Sequence, residues 1–367
     1  MAHILFLEPY FGGSHRAFAE GLARHSRHTV RLVTAPGRFW RWRMRGTAPE
    51  FARLVRGTEP PDLFFVSSML GLAEFLGLAP EGFRRARRVL YFHENQLTYP
   101  LPEGERRDLH VVMTQITSAL AADRILFNSA HHRRELLAAI PGFVRALPDR
   151  KPRGIAGLFR ERSTVLPPGV DYESLGAPRT PTGRGTAKPV LLWNHRWEHD
   201  KGRDTFLDLV RHLKRRKVGF RLVVTGAPRG ARSDLFEELP RAAGSRLEHV
   251  GFAPTRASYA RLLAGADLVV STARHEFFGI SVLEAIHAGA FPLLPKKLSY
   301  PEILPPSRFG PCYYETREEL HERAETYLRN GTPPAAGLQE AIARFAWPEV
   351  ARRYDRLFDE LVEQSPR

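Results

Sequence analysis

The feature that most limits what this chain can fold into is an alternation that occurs in two series. Short apolar runs end in glycine or polar residues and give way to segments whose apolar residues recur at helical spacing. Residues 3–10, HILFLEPY, end at Gly12, Gly13 and Ser14 and continue as the helical HRAFAEGLARH. HTVRLVTA, DLFFVSS, RVLYFHEN and RILFNSA follow as strands, separated by stretches long enough for crossover helices, so a parallel sheet is the economical arrangement. After STVLPPGVD, the tract APRTPTGRGTAKP has no periodicity and reads as a linker. The pattern then restarts with PVLLWNHR, FRLVVTG, LEHVGF, ADLVVST and AFPLLP as strands, and the tail WPEVARRYDRLFDELVEQ forms one more amphipathic helix. The fold class expected is α/β with two doubly wound domains, 1–171 and 189–345, joined by a linker at 172–188. A C-terminal helix at 346–367 is expected to pack back toward the first domain.

Chemistry in such folds sits just past the strand ends. Polar clusters fall there, at residues 12–15, 93–96, 194–201 and 275–279. With 367 residues, 43% hydrophobic and 26% charged, two domains can each bury a core. The single cysteine, Cys312, excludes a disulfide framework and a cysteine-rich metal site. No signal peptide or long apolar run is visible, so a cytoplasmic protein without membrane insertion is expected.

In STARHEFFGISVLEAIHAGAFPLLP, two glutamates flank Phe278-Gly279 where a strand gives way to a helix. The amides of Phe278, Gly279 and Ile280 suit a diphosphate oxygen, since a helix start offers unpaired N–H groups. Glu276 suits sugar hydroxyls, and Glu284 both hydroxyls of a ribose, because an ionised carboxylate only accepts. The bland alternative is a helix-start acid and a surface acid. HEFFG lacks a second histidine at metal-binding spacing. Arg196 and Lys201 follow a strand directly and form a cation pair that can offset diphosphate charge in place of a divalent metal, so no metal and no cofactor is expected beyond a nucleotide-sugar substrate. His93, Glu94, Asn95 and Gln96 either line a cleft against sugar or acceptor, or form a plain polar loop. Gly13, Ser14 and His15 can approach a ligand by backbone, and the missing G-x-G-x-x-G pattern argues against nicotinamide or flavin.

The formal net charge of +15 creates a field that attracts polyanions, although arginine-rich composition on a solvated surface produces the same total. RFWRWRMR places Arg38, Arg41 and Arg43 among Trp40 and Trp42, matching phosphates and stacked unpaired bases in an RNA loop. An edge strand with buried tryptophans fits the alternation equally. RRARR at 84–88, with Arg150, Lys151 and Arg153, adds charge in the same half. His131 and His132 read as solvated and without a role.

Arg196, Lys201, Glu276 and Glu284 around Phe278-Gly279, then Gly289, resemble the family 4-type retaining glycosyltransferases of the GT-B fold, two Rossmann-like domains facing a central cleft. FGGSH, RFWRWR, YFHENQLTYP, FNS, HRWEHDK, TARHEFFG and YPEI narrow the resemblance to the tRNA-queuosine α-mannosyltransferase group. That resemblance implies transfer of mannose from GDP-mannose to queuosine in a tRNA anticodon, tRNA-Asp in particular, with retained configuration. Arg196 and Lys201 would bind the diphosphate, Glu276 the hexose and Glu284 the ribose, with His93 beside the sugar. His93, Glu276, Arg196 and Lys201 would then be the catalytic set. The residues alone leave GDP, UDP or ADP open, and mannose or galactose. Two rivals remain: a transferase with a lipid or polysaccharide acceptor at an anionic membrane, and an RNA-binding protein with a vestigial site.

Overall fold

The computed structural model describes residues 1–102, 104–179, 188–226 and 234–364, and for 234–236 the backbone alone. Residues 180–187 of the expected linker and 227–230 of the TGAPRG loop lie outside the described residues. Contacts divide the chain into two units, Met1–Gly169 with the chain from Trp347 onward, and Val170–Ala346.

In the first unit, strands β1 (His3–Phe11), β2 (Thr29–Pro36), β3 (Leu63–Ser67), β4 (Arg87–Phe92), β5 (Arg124–Phe127) and β6 (Ser163–Val165) form one sheet in the order β2-β1-β3-β4-β5-β6. Every neighbouring pair is parallel. Both faces are covered, which is why the central strands are apolar at successive residues. Leu5, Leu7, Phe64 and Val66 pack on one side with Ala48 and Phe51. Ile4, Phe6, Phe65 and Tyr91 pack on the other with Phe18, Tyr354 and Phe358, so the helix Trp347–Glu363 completes the first unit's core. The sheet runs one way from β1 through β2 and the other way through β3, making β1/β3 the switch point where such folds bind ligands.

The second unit repeats the logic with β7 (Val190–Trp193), β8 (Arg221–Thr225), β9 (Leu247–Gly251), β10 (Leu268–Val270), β11 (Phe291–Pro295) and β12 (Tyr313–Tyr314), ordered β12-β11-β10-β7-β8-β9 and again parallel. Its switch point is β7/β10. Strands β6 and β12 were not legible in sequence, because ladders this short carry no periodicity. The described start of the expected linker is packed into this unit. Tyr172 and Leu175 join its core, and the Tyr172 hydroxyl donates to the Ile342 carbonyl at 3.2 Å.

Two local readings need correction. Residues 38–45 are not an edge strand: they enter the helix Trp40–Leu54, whose buried Met44, Ala48 and Phe51 recur at helical spacing and override the Arg-Trp alternation. Trp42 is 69% exposed, whereas the Arg43 side chain is largely buried, its nearest carboxylate Glu50 at 3.8 Å. His131 and His132 are buried, not solvated. Ser129 caps their helix, Ala130–Ala146, by accepting from the His132 amide at 3.0 Å. Among the described residues, no helix is long and apolar enough to cross a membrane.

Candidate active site

At the second unit's switch point, the loop after β7 carries Asn194 through Lys201 and the loop after β10 carries Ser271 through Gly279. The two loops are stitched together. Asp200 accepts at its backbone carbonyl from the amides of Arg274 (2.8 Å) and His275 (3.2 Å), and the Thr272 hydroxyl donates to the Lys201 carbonyl at 2.9 Å. Gly202, at φ 64°, lets the chain pass so close that a Cβ would lie 2.0 Å from the Thr272 carbonyl oxygen.

Lys201 is buried, and its ammonium has three partners: Asp200 at 3.0 Å, Glu276 at 3.1 Å and the His275 carbonyl at 3.0 Å. Burial acts to lower the Lys201 pKa, but Glu276 and Asp200 more than offset it, so it is raised. Burial likewise acts to raise Glu276, but Lys201 and then His195 overcome it and hold the carboxyl at about 2. Glu276 is therefore an anion at neutral pH. The Phe278 amide donates to Glu276 Oε1 at 3.3 Å, so the structure gives that amide a partner other than the diphosphate expected from sequence. Gly279, the N-cap at φ 105°, starts the helix Ile280–His287 against the Tyr300 ring. Tyr300 hydrogen-bonds Ser271 at 2.7 Å, and Ser299 donates to the Phe278 carbonyl at 2.9 Å, so the YPEI segment clamps this loop.

Glu284 is buried in that helix, its carboxylate accepting from the Tyr259 hydroxyl at 2.9 Å and pairing with Arg256 at 2.8 Å. Asn194 donates to the Tyr259 oxygen at 3.2 Å and to the Ser281 carbonyl at 2.7 Å. Arg196 is partly exposed and lies 3.4 Å from Glu198. Burial, then Lys201, lowers His195 to about 4. Between pH 6.5 and about 4 the unfolded chain therefore binds a proton that the folded His195 refuses, and stability falls as pH drops through that window. His195→Asn should flatten this slope in urea midpoints measured across it.

In the first unit, the ends of β1, β3 and β4 bring Glu8, His15, Ser67 and His93 together. Burial, with neighbouring His15 and His132, holds the His93 imidazole well below its usual pKa and hence neutral at pH 7. Gly13 opens the helix Gly13–His25, with Ser14 exposed. Of the polar run after β4, Glu94 is half-buried, whereas Asn95 is fully buried and Gln96 nearly so. Asn95 exchanges hydrogen bonds with Thr98 (Nδ2 to the hydroxyl, 2.8 Å; Thr98 amide to Oδ1, 2.8 Å), which makes it a loop staple rather than an acceptor ligand. Gln96 takes its amide to Gln115 at 2.7 Å and its side chain to Glu94 at 3.2 Å. Arg150, Lys151 and Arg153 are exposed.

Residues 3–170 match the family described as the tRNA-queuosine alpha-mannosyltransferase N-terminal domain. Over 334 residues, covering 89% of this chain and 87% of the relative, the sequence is 35% identical to the tRNA-queuosine alpha-mannosyltransferase of Drosophila melanogaster. The chain belongs to the tRNA-queuosine α-mannosyltransferase family. Residues 145–299 also match the family 4 glycosyltransferases in conflict systems. Among solved structures, sucrose-phosphate synthase from Thermosynechococcus elongatus superposes with a TM-score of 0.74 at 16% identity, covering 99% of this chain and 100% of that one. HepE of Anabaena, solved with UDP and glucose, gives 0.68 at 16% identity, covering 98% and 100%. The fold is GT-B, and the enzyme class a glycosyltransferase.

In this family member the sequence alone did not single out Glu8, Asp200, Tyr259 or Arg256. A lone acid at the end of an apolar strand was the available signal for Glu8; Tyr259 and Arg256 lie on a helix where nothing distinguishes them from surface residues. Tyr259→Phe removes a hydrogen bond to the Glu284 carboxylate, an interaction class worth about 1.5–3 kcal/mol, so the unfolding free energy should fall by about that amount. Equilibrium denaturation of parent and variant checks this.

Proposed function

We propose that this protein transfers mannose from GDP-mannose to queuosine in a tRNA anticodon, tRNA-Asp in particular, in the cytoplasm and with retained anomeric configuration. The observation that carries the reading is the buried Lys201–Glu276 pair at a Rossmann-type switch point, followed by a helix that buries Glu284, in a chain of this family. Lys201 and Arg196 meet the diphosphate. As an oxyanion takes Lys201, Glu276 turns to the hexose hydroxyls, which donate to it alongside the Phe278 amide, while Lys201 keeps Asp200 as a second anionic partner. The Gly279 and Ile280 amides at the helix start are offered to the same diphosphate. Glu284, oriented by Tyr259 and Arg256, accepts from the ribose diol. His93 and the β1 and β4 ends of the first unit, with Gly13, Ser14, His15, Glu94 and Gln96, serve sugar and acceptor. The exposed cations, Arg38, Arg41, Arg150, Lys151 and Arg153, serve tRNA phosphates without reading sequence.

In the transfer, the bond from the anomeric carbon to the donor phosphate oxygen breaks and a bond from that carbon to a queuosine hydroxyl oxygen forms on the same face. The hydroxyl proton passes to the departing phosphate, whose charge Lys201 and Arg196 offset. Incubation with GDP-mannose and queuosine-containing tRNA, followed by nucleoside mass analysis, should show one hexose added to queuosine alone and insensitivity to EDTA. Hexose on other nucleosides, transfer from UDP-sugars alone, or no transfer would each contradict the reading.

A further inference from the structure

Glu8 sits at the switch point of the first sheet and is fully buried. Its Oε1 accepts from the Tyr10 amide at 2.9 Å and the Ser67 hydroxyl at 3.1 Å, and its Oε2 lies 3.1 Å from His15 Nδ1. The Tyr10 amide and the Ser67 hydroxyl both donate to this carboxyl, and a third donor, Nδ1–H of His15, completes the same pattern at Oε2. The His15 ring lies against His93 with centroids 4.1 Å apart and planes tilted by 36°, and His93 Nε2 stands 3.9 Å from Glu8 Oε2, beyond hydrogen-bond reach. His93 is boxed in by Phe18 at 5.0 Å and Tyr91 at 4.6 Å, and its carbonyl accepts from Asn128 at 2.9 Å.

We propose that Glu8 is a positioning residue: it fixes the tautomer and plane of His15, and through the packed His15 ring it fixes the orientation of His93. For its kinetic consequence this rests on the proposed placement of His93 beside the transferred sugar. The competing chemistry is a divalent metal, since one ligand atom from each of Glu8, His15 and His93 lies within 4.8 Å of the others. The hydrogen bonds argue against it, because a metal on Oε2 would take the place of the Nδ1–H contact that orients His15.

The test uses Glu8→Gln in the full chain, with folding checked by circular dichroism. Long-range nitrogen–proton spectra of labelled histidine, assigned by the loss of one signal in His15→Asn, report the tautomer without any substrate. His15 should be Nδ1-protonated in the parent and shift toward the Nε2–H form in Glu8→Gln, whose amide can donate to Nδ1. With GDP-mannose and tRNA, kcat should fall about 100-fold, the scale on which misplacing a group beside the reacting centre costs rate, while donor KM stays within about twofold. His15→Asn should lower kcat similarly, and the double variant should be far from additive. An unchanged His15 tautomer, an unchanged kcat, or additive effects would overturn the proposal. So would stoichiometric zinc binding that Glu8→Gln abolishes and that turnover requires. Should Glu8→Gln fail to fold, an undisturbed His93 signal and full kcat in His15→Asn would overturn it equally. If the parent transfers nothing to tRNA, the functional reading fails while the tautomer measurement still decides the role of Glu8.

Discussion

Lys201→Met should lower mannosyl transfer by about 10²–10³-fold, the effect of removing one preorganised charge from a site where transition-state charge develops. The same substitution should destabilise the fold. Lys201 is buried between Asp200 and Glu276, and removing one member of a buried ion cluster leaves charges with nowhere to go, at about 3–5 kcal/mol. The pH dependence separates this from a generic packing defect. Glu276 has a folded pKa of about 2 against 4.5 for the free group, so it contributes stability that is present above pH 4.5 and lost as pH falls toward 2. Without Lys201 the carboxyl should titrate higher and that acid-side loss should shrink. Equilibrium unfolding of parent and variant at pH 7, 4.5 and 2.5 reads both effects. A variant that keeps full activity would remove Lys201 from the donor site, and an unchanged acid-side slope would show that its ammonium does not set the Glu276 pKa.

Trp42→Ala should weaken tRNA binding by about 5- to 150-fold, corresponding to the 1–3 kcal/mol of one base stacked on an aromatic ring. The ring is 69% exposed, and beside it Phe39 is 72% exposed while held at φ 53°. A bulky residue kept in the left-handed region and in water is disfavoured twice over, a combination associated with functional sites. The Arg38 guanidinium lies 5.8 Å from the Phe39 ring centroid and Arg41 lies 5.0 Å from that of Trp40, which is half-buried against Met44, Met69 and Val111, so Phe39 and Trp42 are the rings this helix start exposes among its cations. Neutralising Arg38 and Arg41 together should lower the slope of log K against log salt by about 1.4–1.8 for two phosphate contacts. Trp42→Ala should leave that slope alone. Arg43, largely buried, should contribute to stability and not to the slope. Binding curves at several salt concentrations, together with unimpaired GDP-mannose binding, check the set. Full tRNA affinity in Trp42→Ala would place the RNA elsewhere.

How far the site was legible follows the range of each interaction. Arg196, Lys201, Glu276 and Glu284 stood out because each falls beside a local signal, a strand end or a helix start preceded by glycine. Asn95 stood out for the same reason and proved to be a staple for its own loop, since a polar residue at a strand end looks alike in both roles until its partner is known. His131 and His132 show the converse: two polar residues at a helix start are solvated by default, and here the Asn128 side chain, 2.8 Å from His132 Nδ1, gives a buried imidazole its partner.

The sequence by itself determined the two α/β series, the identity of the charged groups past the strand ends and the basic, aromatic helix start, because periodicity and turn chemistry act over a few neighbouring residues. The tertiary structure alone decided which groups meet. Lys201 reaches Glu276 across 75 positions, and Ser67 reaches Glu8 across 59. Those contacts exist because β10 lies against β7 and β3 against β1, and strand order is set by how whole sheets bury their two faces, a property no local stretch of residues encodes.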